Sequence, residues 1–198
     1  MFDLENNIDP IQLSQKWLKD AAKTEVNDAN AMALGTSSLD GMPDVRIVLC
    51  KDISETGFRF FTNLNSTKGQ QLASNPNVAL CFHWKTLERQ IRVRGTIEQV
   101  SDDIADAYFE TRHPVSRRGA IASNQSHPLD SREALINAVE AVKQQYPDDN
   151  DIPRPHNWSG FNVTPHEIEF WSAGDNRLHD RILFKKTDDQ WASQRLYP

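Results

Sequence analysis

The chain has 198 residues, which suits one domain with a sizeable core, since domains commonly run to about 100–200 residues. Hydrophobic residues make up 38% and charged residues 25%, and 5 Trp, 9 Phe and 3 Tyr must find burial, which excludes a disordered composition. The net charge of −6 argues against nucleic-acid binding, which needs a basic footprint, and no apolar run approaches the roughly 18 residues of a membrane span.

The acidic start lacks the basic and apolar stretches of a signal peptide, so a soluble cytoplasmic protein is expected. A loose tail leads into a first helix: Asp9 suits an N-cap, Pro10 the first helical position, and Ile11, Leu13, Trp17, Leu18 and Ala21 share one face. Five β-branched and aromatic runs follow at 31–37, 45–52, 58–63, 78–84 and 90–100, separated by turn residues such as Asp40-Gly41 and Glu55-Thr56-Gly57. One helix interrupts them, N-capped by Ser66 and stopped at Asn75-Pro76. Such short connections favour antiparallel pairing into a barrel or sandwich.

Three helical pieces come next: one capped by Ser101 and reaching Thr111, one at 115–123 and one at 132–145. Residues 146–156 are acidic and Pro-rich and read as an exposed loop. Strands return at 161–164, 167–171, 181–185 and 190–196. The expected fold class is α+β, one domain with an antiparallel β-barrel core and peripheral helices.

Charge is segregated. Residues 42–95 hold eight basic and four acidic side chains, leaving 14 basic and 24 acidic elsewhere. A positive strand region in an acidic chain suits a small anion that can be surrounded. Cys50 and Cys81 lie in apolar runs without metal-ligand spacing, so packing thiols are expected, with no metal and no disulfide framework.

Several clusters could carry chemistry. In Arg177-Leu178-His179-Asp180-Arg181, an extended backbone would put Arg177, His179 and Arg181 on one side, a row suited to an electron-rich ligand or to solvent at an edge strand. Trp171 upstream is either a core ring or a wall for a flat ligand. In Arg46-Ile47-Val48-Leu49-Cys50-Lys51, alternation puts Arg46 and Lys51 on opposite faces, where they could serve two different anions. Ser66-Thr67-Lys68-Gly69 at a helix start suits a phosphate. Gln90, Arg92 and Arg94 share the face opposite Ile91 and Val93, while Tyr108, Arg112 and Ser116 are spaced by four around a helix end, with Gln125-Ser126 following.

Taken together, in order and spacing, Arg46–Lys51, Phe61-Thr62-Asn63-Leu64, Lys68-Gly69, Glu88-Arg89-Gln90, Tyr108-Phe109 with Arg112, Gln125-Ser126, Glu169-Phe170-Trp171 and Arg177–Arg181 closely resemble the pyridoxine/pyridoxamine 5′-phosphate oxidase family. The resemblance implies an FMN-binding split β-barrel and a homodimer with the flavin at the subunit interface. It implies FMN ligation by Arg46, Ile47, Val48, Leu49, Cys50, Lys51, Phe61, Thr62, Lys68, Gln90, Gln125, Ser126, Trp171 and Arg181. It places the substrate phosphate on Lys51, Tyr108, Arg112 and Ser116, with Arg177, Leu178 and His179 over the pyridine ring and Arg177 and His179 as catalytic residues. The implied partners are a phosphorylated B6 vitamer and oxygen. Two departures stand out: Thr67 where the family usually has Arg, and Arg117-Arg118 where it commonly has Gln-Ile. Other readings are a split-barrel flavoprotein for a different substrate, such as a flavin reductase, or a carrier of FMN or pyridoxal phosphate without catalysis.

Overall fold

The computed structural model describes residues 8–198; the expected tail before Ile8 lies outside the described residues. Helix α1 (Pro10–Ala21) starts where Asp9 accepts the Ile11 N–H at 2.7 Å, and its Trp17 meets Phe170 edge-on at 5.1 Å. The strands are β1 (Ala31–Ser37), β2 (Pro43–Leu49), β3 (Asp52–Ser54) and β4 (Gly57–Asn63), followed by helix α2 (Thr67–Ser74), β5 (Asn77–Trp84) and β6 (Arg89–Gln99). Helices α3 (Asp102–Glu110), α4 (Pro114–Ala122) and α5 (Arg132–Gln145) precede β7 (Trp158–Ser172), β8 (Asp180–Thr187) and β9 (Gln190–Leu196).

All strand pairs are antiparallel, in the order β2-β1-β5-β6-β7-β4-β3, with β8 and then β9 added beside β7. The 15-residue β7 organises the sheet. One edge pairs with β6 over Phe161–Ser172; the other pairs with β4 over Trp158–Val163 and with β8 over Glu167–Ser172. The sheet divides at that change of partner and curls so far that β2 and β4 touch, although four strands separate them in the sheet order. The inner face holds Phe58, Phe60, Phe82, Phe170, Leu34, Leu80, Ile91 and Ile168, all fully buried. This is the expected split barrel, in which period-2 alternation sends one side of each strand inward.

Three sequence expectations change. The run at 45–52 breaks into β2 and β3, because Cys50 N–H bonds to the Asn30 carbonyl and Lys51 N–H to the Arg59 carbonyl, redirecting the chain between two partners. The runs at 161–164 and 167–171 join into one strand: the register shifts between Arg94 and Gly95, opposite Pro165, and a bulge absorbs the ring that lacks an N–H. Gly95 permits this approach, since a Cβ there would sit 2.2 Å from the Thr164 carbonyl oxygen. Ser101 precedes α3 but makes no side-chain cap bond.

Candidate active site

The curl leaves a cavity of about 840 Å³ between β2, β4, the start of α2 and the ends of α3 and α4. Its lining includes twelve of the predicted site residues: Arg46, Ile47, Val48, Leu49, Lys51, Phe61, Thr62, Lys68, Tyr108, Arg112, Ser116 and Gln125. The volume falls within the roughly 300–1,000 Å³ typical of small-ligand and cofactor pockets.

One part is cationic through Arg46 and Lys68. Arg46 lies on β2, paired with Asp44 at 2.5 Å and bonded to Gln71 Oε1 at 3.2 Å and to Thr36 Oγ1. Lys68 stands in the first turn of α2, where Ser66 Oγ accepts the Gly69 N–H at 3.3 Å, and its Nζ donates to Gln125 Oε1 at 2.9 Å. Burial, and then the nearby Arg46 charge, pull the Lys68 pKa below its usual value. A bound anion would relieve both effects, and α2 directs free N–H groups to the same place.

The other part is built on stacked rings. Phe61 and Tyr108 lie 4.1 Å apart at 15°, and Phe61 and Trp158 lie 5.3 Å apart at 7°. Lys51 Nζ stands 5.9 Å from the Tyr108 ring centroid, and the Arg112 guanidinium 4.8 Å from that of Trp158. Arg112 Nη1 is buried with no hydrogen-bond partner among the described residues. An unpaired buried guanidinium N–H costs about 1–3 kcal/mol or more, so this atom marks a place for an acceptor. The break after β2 explains why Arg46 and Lys51 line one cavity: the expectation of opposite faces assumed continuous alternation through Cys50, which the redirected chain does not keep.

Cys50 does not reach the cavity. It is 2% exposed, its Sγ contacts the Asp52 carbonyl oxygen at 3.2 Å, and burial pushes its thiol pKa up to about 12, as a packing thiol requires. Ser126, in a left-handed turn at φ 72°, is exposed beside Gln125 and outside the lining.

A second cluster sits elsewhere on the sheet. Gln90 faces Trp171 across β6 and β7, Trp171 faces Arg181 across β7 and β8, and the His179 ring lies 4.7 Å from that of Trp171. The extended run expected at 177–181 is absent before Asp180. Asp175–Arg177 forms a 3₁₀ turn with Asn176 and Arg177 at φ 53° and 66°, and His179 Nδ1 accepts the Gly174 N–H at 3.3 Å. Arg181 does not share one open row with Arg177 and His179, since its Nη2 pairs with Glu169 at 2.7 Å; Arg92 shares that carboxylate group, and Arg94 pairs with Glu167 at 3.2 Å. Arg177 and Leu178 stay exposed at the tip. None of these residues lines the first cavity.

Sequence reasoning missed the cavity residues Asn63, His113, Gly119, Ala120, Ser123 and Trp158. A signal existed for His113, which precedes Pro114 and caps α4 by accepting the Val115 N–H on Nδ1 at 3.3 Å. Arg117 and Arg118 turn away from the cavity into the 146–149 loop, so they add no charge beside Ser116. Among the described residues no cluster of His, Cys, Asp or Glu could hold a metal, and no helix is long and apolar enough to cross a membrane.

A curled antiparallel sheet enclosing a cation-lined, ring-walled cavity defines a split-barrel protein built for small anionic, aromatic ligands. Residues 18–146 match the family model described as pyridoxamine 5′-phosphate oxidase, and residues 158–198 match the pyridoxine 5′-phosphate oxidase C-terminal dimerisation region. The chain belongs to the pyridoxamine 5′-phosphate oxidase family. It is 54% identical over 190 residues to the pyridoxine/pyridoxamine 5′-phosphate oxidase of Hyphomonas neptunium, covering 96% of this chain and 87% of that protein. It is 46% identical over 194 residues to that of Pelagibacter ubique, covering 98% and 93%. Among solved structures it superposes at TM-score 0.90 on PhzG from Burkholderia lata, crystallised with tetrahydrophenazine-1-carboxylic acid, at 29% identity and covering 96% and 93%. A pyridoxamine 5′-phosphate oxidase-related, FMN-binding protein from Nostoc punctiforme shares the fold at TM-score 0.80 and 18% identity, covering 98% and 100%.

Proposed function

We propose that this chain is an FMN-dependent oxidase that converts pyridoxamine 5′-phosphate and pyridoxine 5′-phosphate to pyridoxal 5′-phosphate. The observation that carries it is the cavity itself: Arg46 with Lys68, and Lys51 with Arg112, whose Nη1 is unpaired, give it two cationic groups for two phosphates, and the stacked rings of Phe61, Tyr108 and Trp158 wall the second. The residues fit FMN: Lys68, Arg46 and the α2 N–H groups offer a phosphate site, with Gln125 beside it, while the 47–49 strand and Thr62 offer backbone and hydroxyl groups to the ring system. FMN held there would supply the redox chemistry, as the hydride acceptor for the substrate 4′ carbon and the route of those two electrons to oxygen, with peroxide as the product.

The chain's own contribution is binding and orientation. Lys51, Tyr108, Arg112 and Ser116 hold the substrate phosphate, with Arg112 presenting a planar fork to its oxygens. Phosphate binding at a fixed point orients the 4′ carbon, which converts binding energy into reacting geometry. Gln90, Trp171, Arg177, Leu178, His179 and Arg181 stand apart from this cavity on the same chain, so a second copy brings them to it. In that homodimer Arg177 and His179 cover the pyridine ring at the partner's site, and the dimerisation region carries all of these residues except Gln90.

The test is direct. Purified protein is examined for a flavin spectrum, then mixed with pyridoxamine 5′-phosphate in air while aldehyde and peroxide are followed. A flavin-loaded protein forming both supports the reading. A protein that takes up FMN but forms no aldehyde favours a carrier, and one that cannot take up FMN overturns the flavin assignment.

A further inference from the structure

Residues 146–156, acidic and Pro-rich, form the exposed loop expected from sequence, without helix or strand, but it is anchored: Ile152 is 3% exposed, and Arg117, Arg118 and Arg154 tie the segment down. Arg118 on α4 is 6% exposed; its Nη2 donates to the Tyr146 carbonyl at 2.9 Å and pairs with Asp149 Oδ1 at 2.7 Å. Arg117, 7% exposed, donates to the Asp149 carbonyl. Further along the segment Arg154 reaches the opposite way. Its Nε donates to Asp106 Oδ1 at 2.5 Å and its Nη2 to Asp102 Oδ1 at 2.8 Å, both on α3, while its Nη1 donates to the Trp158 carbonyl at 2.8 Å.

The segment is therefore bonded to α4 near one end and to α3 near the other. Tyr108 stands on α3, Ser116 on α4, and Arg112 on the three-residue junction between them. Trp158, whose carbonyl Arg154 holds, presents its ring to Arg112. Arg117 and Arg118, buried in the α4 face, hold their positions firmly, because a buried guanidinium stripped of its acceptors pays heavily in lost solvation, whereas Arg154 fixes its end by the geometry of two carboxylate contacts at the surface and one carbonyl contact.

We propose that residues 146–156 form a brace that fixes the spacing of α3 and α4 and so sets Tyr108, Arg112 and Ser116 at the reach of one phosphate monoester, with Arg154 and Arg118 as positioning residues. This rests on the reading of Tyr108, Arg112 and Ser116 as the substrate-phosphate site. Coupling of this kind is reciprocal: if the brace shapes the phosphate site, phosphate in that site stiffens the brace.

Two measurements on the flavin-loaded protein test it. In the first, Arg154→Met and Arg118→Met are compared with Arg112→Met in steady-state turnover of pyridoxamine 5′-phosphate. A charge-assisted phosphate contact is worth about ten- to a hundredfold in binding, so the brace variants, which displace Arg112 without removing it, are expected to raise KM up to about tenfold, with a smaller fall in kcat and flavin content unchanged. Arg154→Lys recovers part of the loss by keeping one carboxylate contact. In the second, hydrogen exchange of residues 146–156 is followed with and without inorganic phosphate; protection by phosphate is expected in the unaltered protein and is lost in Arg154→Met. If Arg154→Met does not fold, the Asp102→Asn/Asp106→Asn double variant removes the same ties from the exposed side. A raised KM in Arg112→Met with none in the brace variants overturns the brace alone. No rise in Arg112→Met overturns the phosphate-site reading and the brace with it. Parallel loss of kcat and flavin in the brace variants reveals general structural damage and also overturns the proposal.

Discussion

Arg112 is held by rings rather than by carboxylates: its guanidinium carbon lies 4.8 Å from the Trp158 ring centroid and 5.4 Å from that of Phe109. Burial pushes its pKa down while Tyr108 pulls it back up, and it remains a cation. Ring contacts of this kind contribute about 0.5–2 kcal/mol and consume none of the guanidinium hydrogen bonds in the ring plane. The buried Nη1 thereby stays without a hydrogen-bond partner among the described residues. A hydrogen bond to a charged group contributes about 1.5–3 kcal/mol, so Arg112→Met is expected to raise KM for the phosphorylated substrate roughly ten- to a hundredfold, with a smaller effect on kcat. Arg112→Lys keeps the charge but loses the fork and should fall between. An unchanged KM in Arg112→Met would remove this residue from the phosphate site.

Lys68 supplies a pH dependence with a definite sign. Its pKa in the folded, ligand-free protein lies below the ordinary 10.5, from burial first and Arg46 second. A bound phosphate dianion favours the charged form, so above the lowered value binding must take up a proton. FMN affinity is therefore expected to fall as pH rises through that value, at a lower pH than an ordinary lysine would produce. Stability of the ligand-free protein runs the other way, rising with pH in the same window, because the unfolded chain holds the lysine proton longer. Flavin fluorescence titrations at stepped pH check the first point. Lys68→Arg should keep its affinity to higher pH, and an identical profile in both proteins would exclude Lys68 as the titrating group.

Much of the fold was legible because its signals are local. Alternation on β6, with Ile91 and Val93 buried against exposed Arg92 and Arg94, and the caps at Asp9 and Ser66 each depend on a few adjacent residues. What escaped depends on distant partners. The turn at Asp175–Arg177 requires φ values that Asn accommodates but that no alternation pattern announces. Glu169 on β7 pairs with both Arg92 on β6 and Arg181 on β8, so Arg181 leaves the row with Arg177 and His179 that the sequence alone suggested. The site divided in the same way. The residue types around Arg46, Lys68, Tyr108 and Arg112 pointed to phosphates, whereas Trp158 and His113 reach the cavity only through the curl and the α3–α4 corner.

The turn between β3 and β4 gives a stability prediction. Gly57 has φ 114°, and a Cβ there would come within 1.9 Å of the Val163 carbonyl oxygen on β7. Neither the backbone angle nor the neighbouring strand can yield cheaply. Gly57→Ala is expected to destabilise the protein by more than about 1 kcal/mol, read as a lower denaturant midpoint. It should also weaken FMN retention, because β4 carries Phe61 and Thr62. A midpoint equal to that of the unaltered protein would show that the turn relaxes.

Arg177 separates chemistry from cofactor binding. It is exposed at the tip between β7 and β8 and makes no contact with the cavity of its own chain. If it covers the substrate ring, Arg177→Ala should depress turnover much more than flavin content, whereas Lys68→Ala should reduce flavin content first. Absorbance of the bound flavin and the rate of aldehyde formation, measured on the same preparations, distinguish the two. Equal losses of flavin and turnover in Arg177→Ala would overturn its placement over the substrate.

The separation of the two clusters leads to a complementation test. In a two-fold symmetric dimer, residues from the first cluster of one protomer meet residues from the second cluster of its partner, and each dimer has two such meetings. Arg112→Ala damages one half of every site and Arg177→Ala the other, so each homodimer is impaired throughout. In a heterodimer of the two, both damaged residues fall in the same site and the second site is intact. Mixing by unfolding and refolding equal amounts, or by co-expression with two tags, should restore about a quarter of the unaltered turnover, since roughly half the dimers are mixed and each regains one site. Purified heterodimer should reach about half. If each chain instead builds its whole site alone, the mixture shows only the average of the two impaired proteins, and the assignment of Arg177 and His179 to a partner's cavity falls.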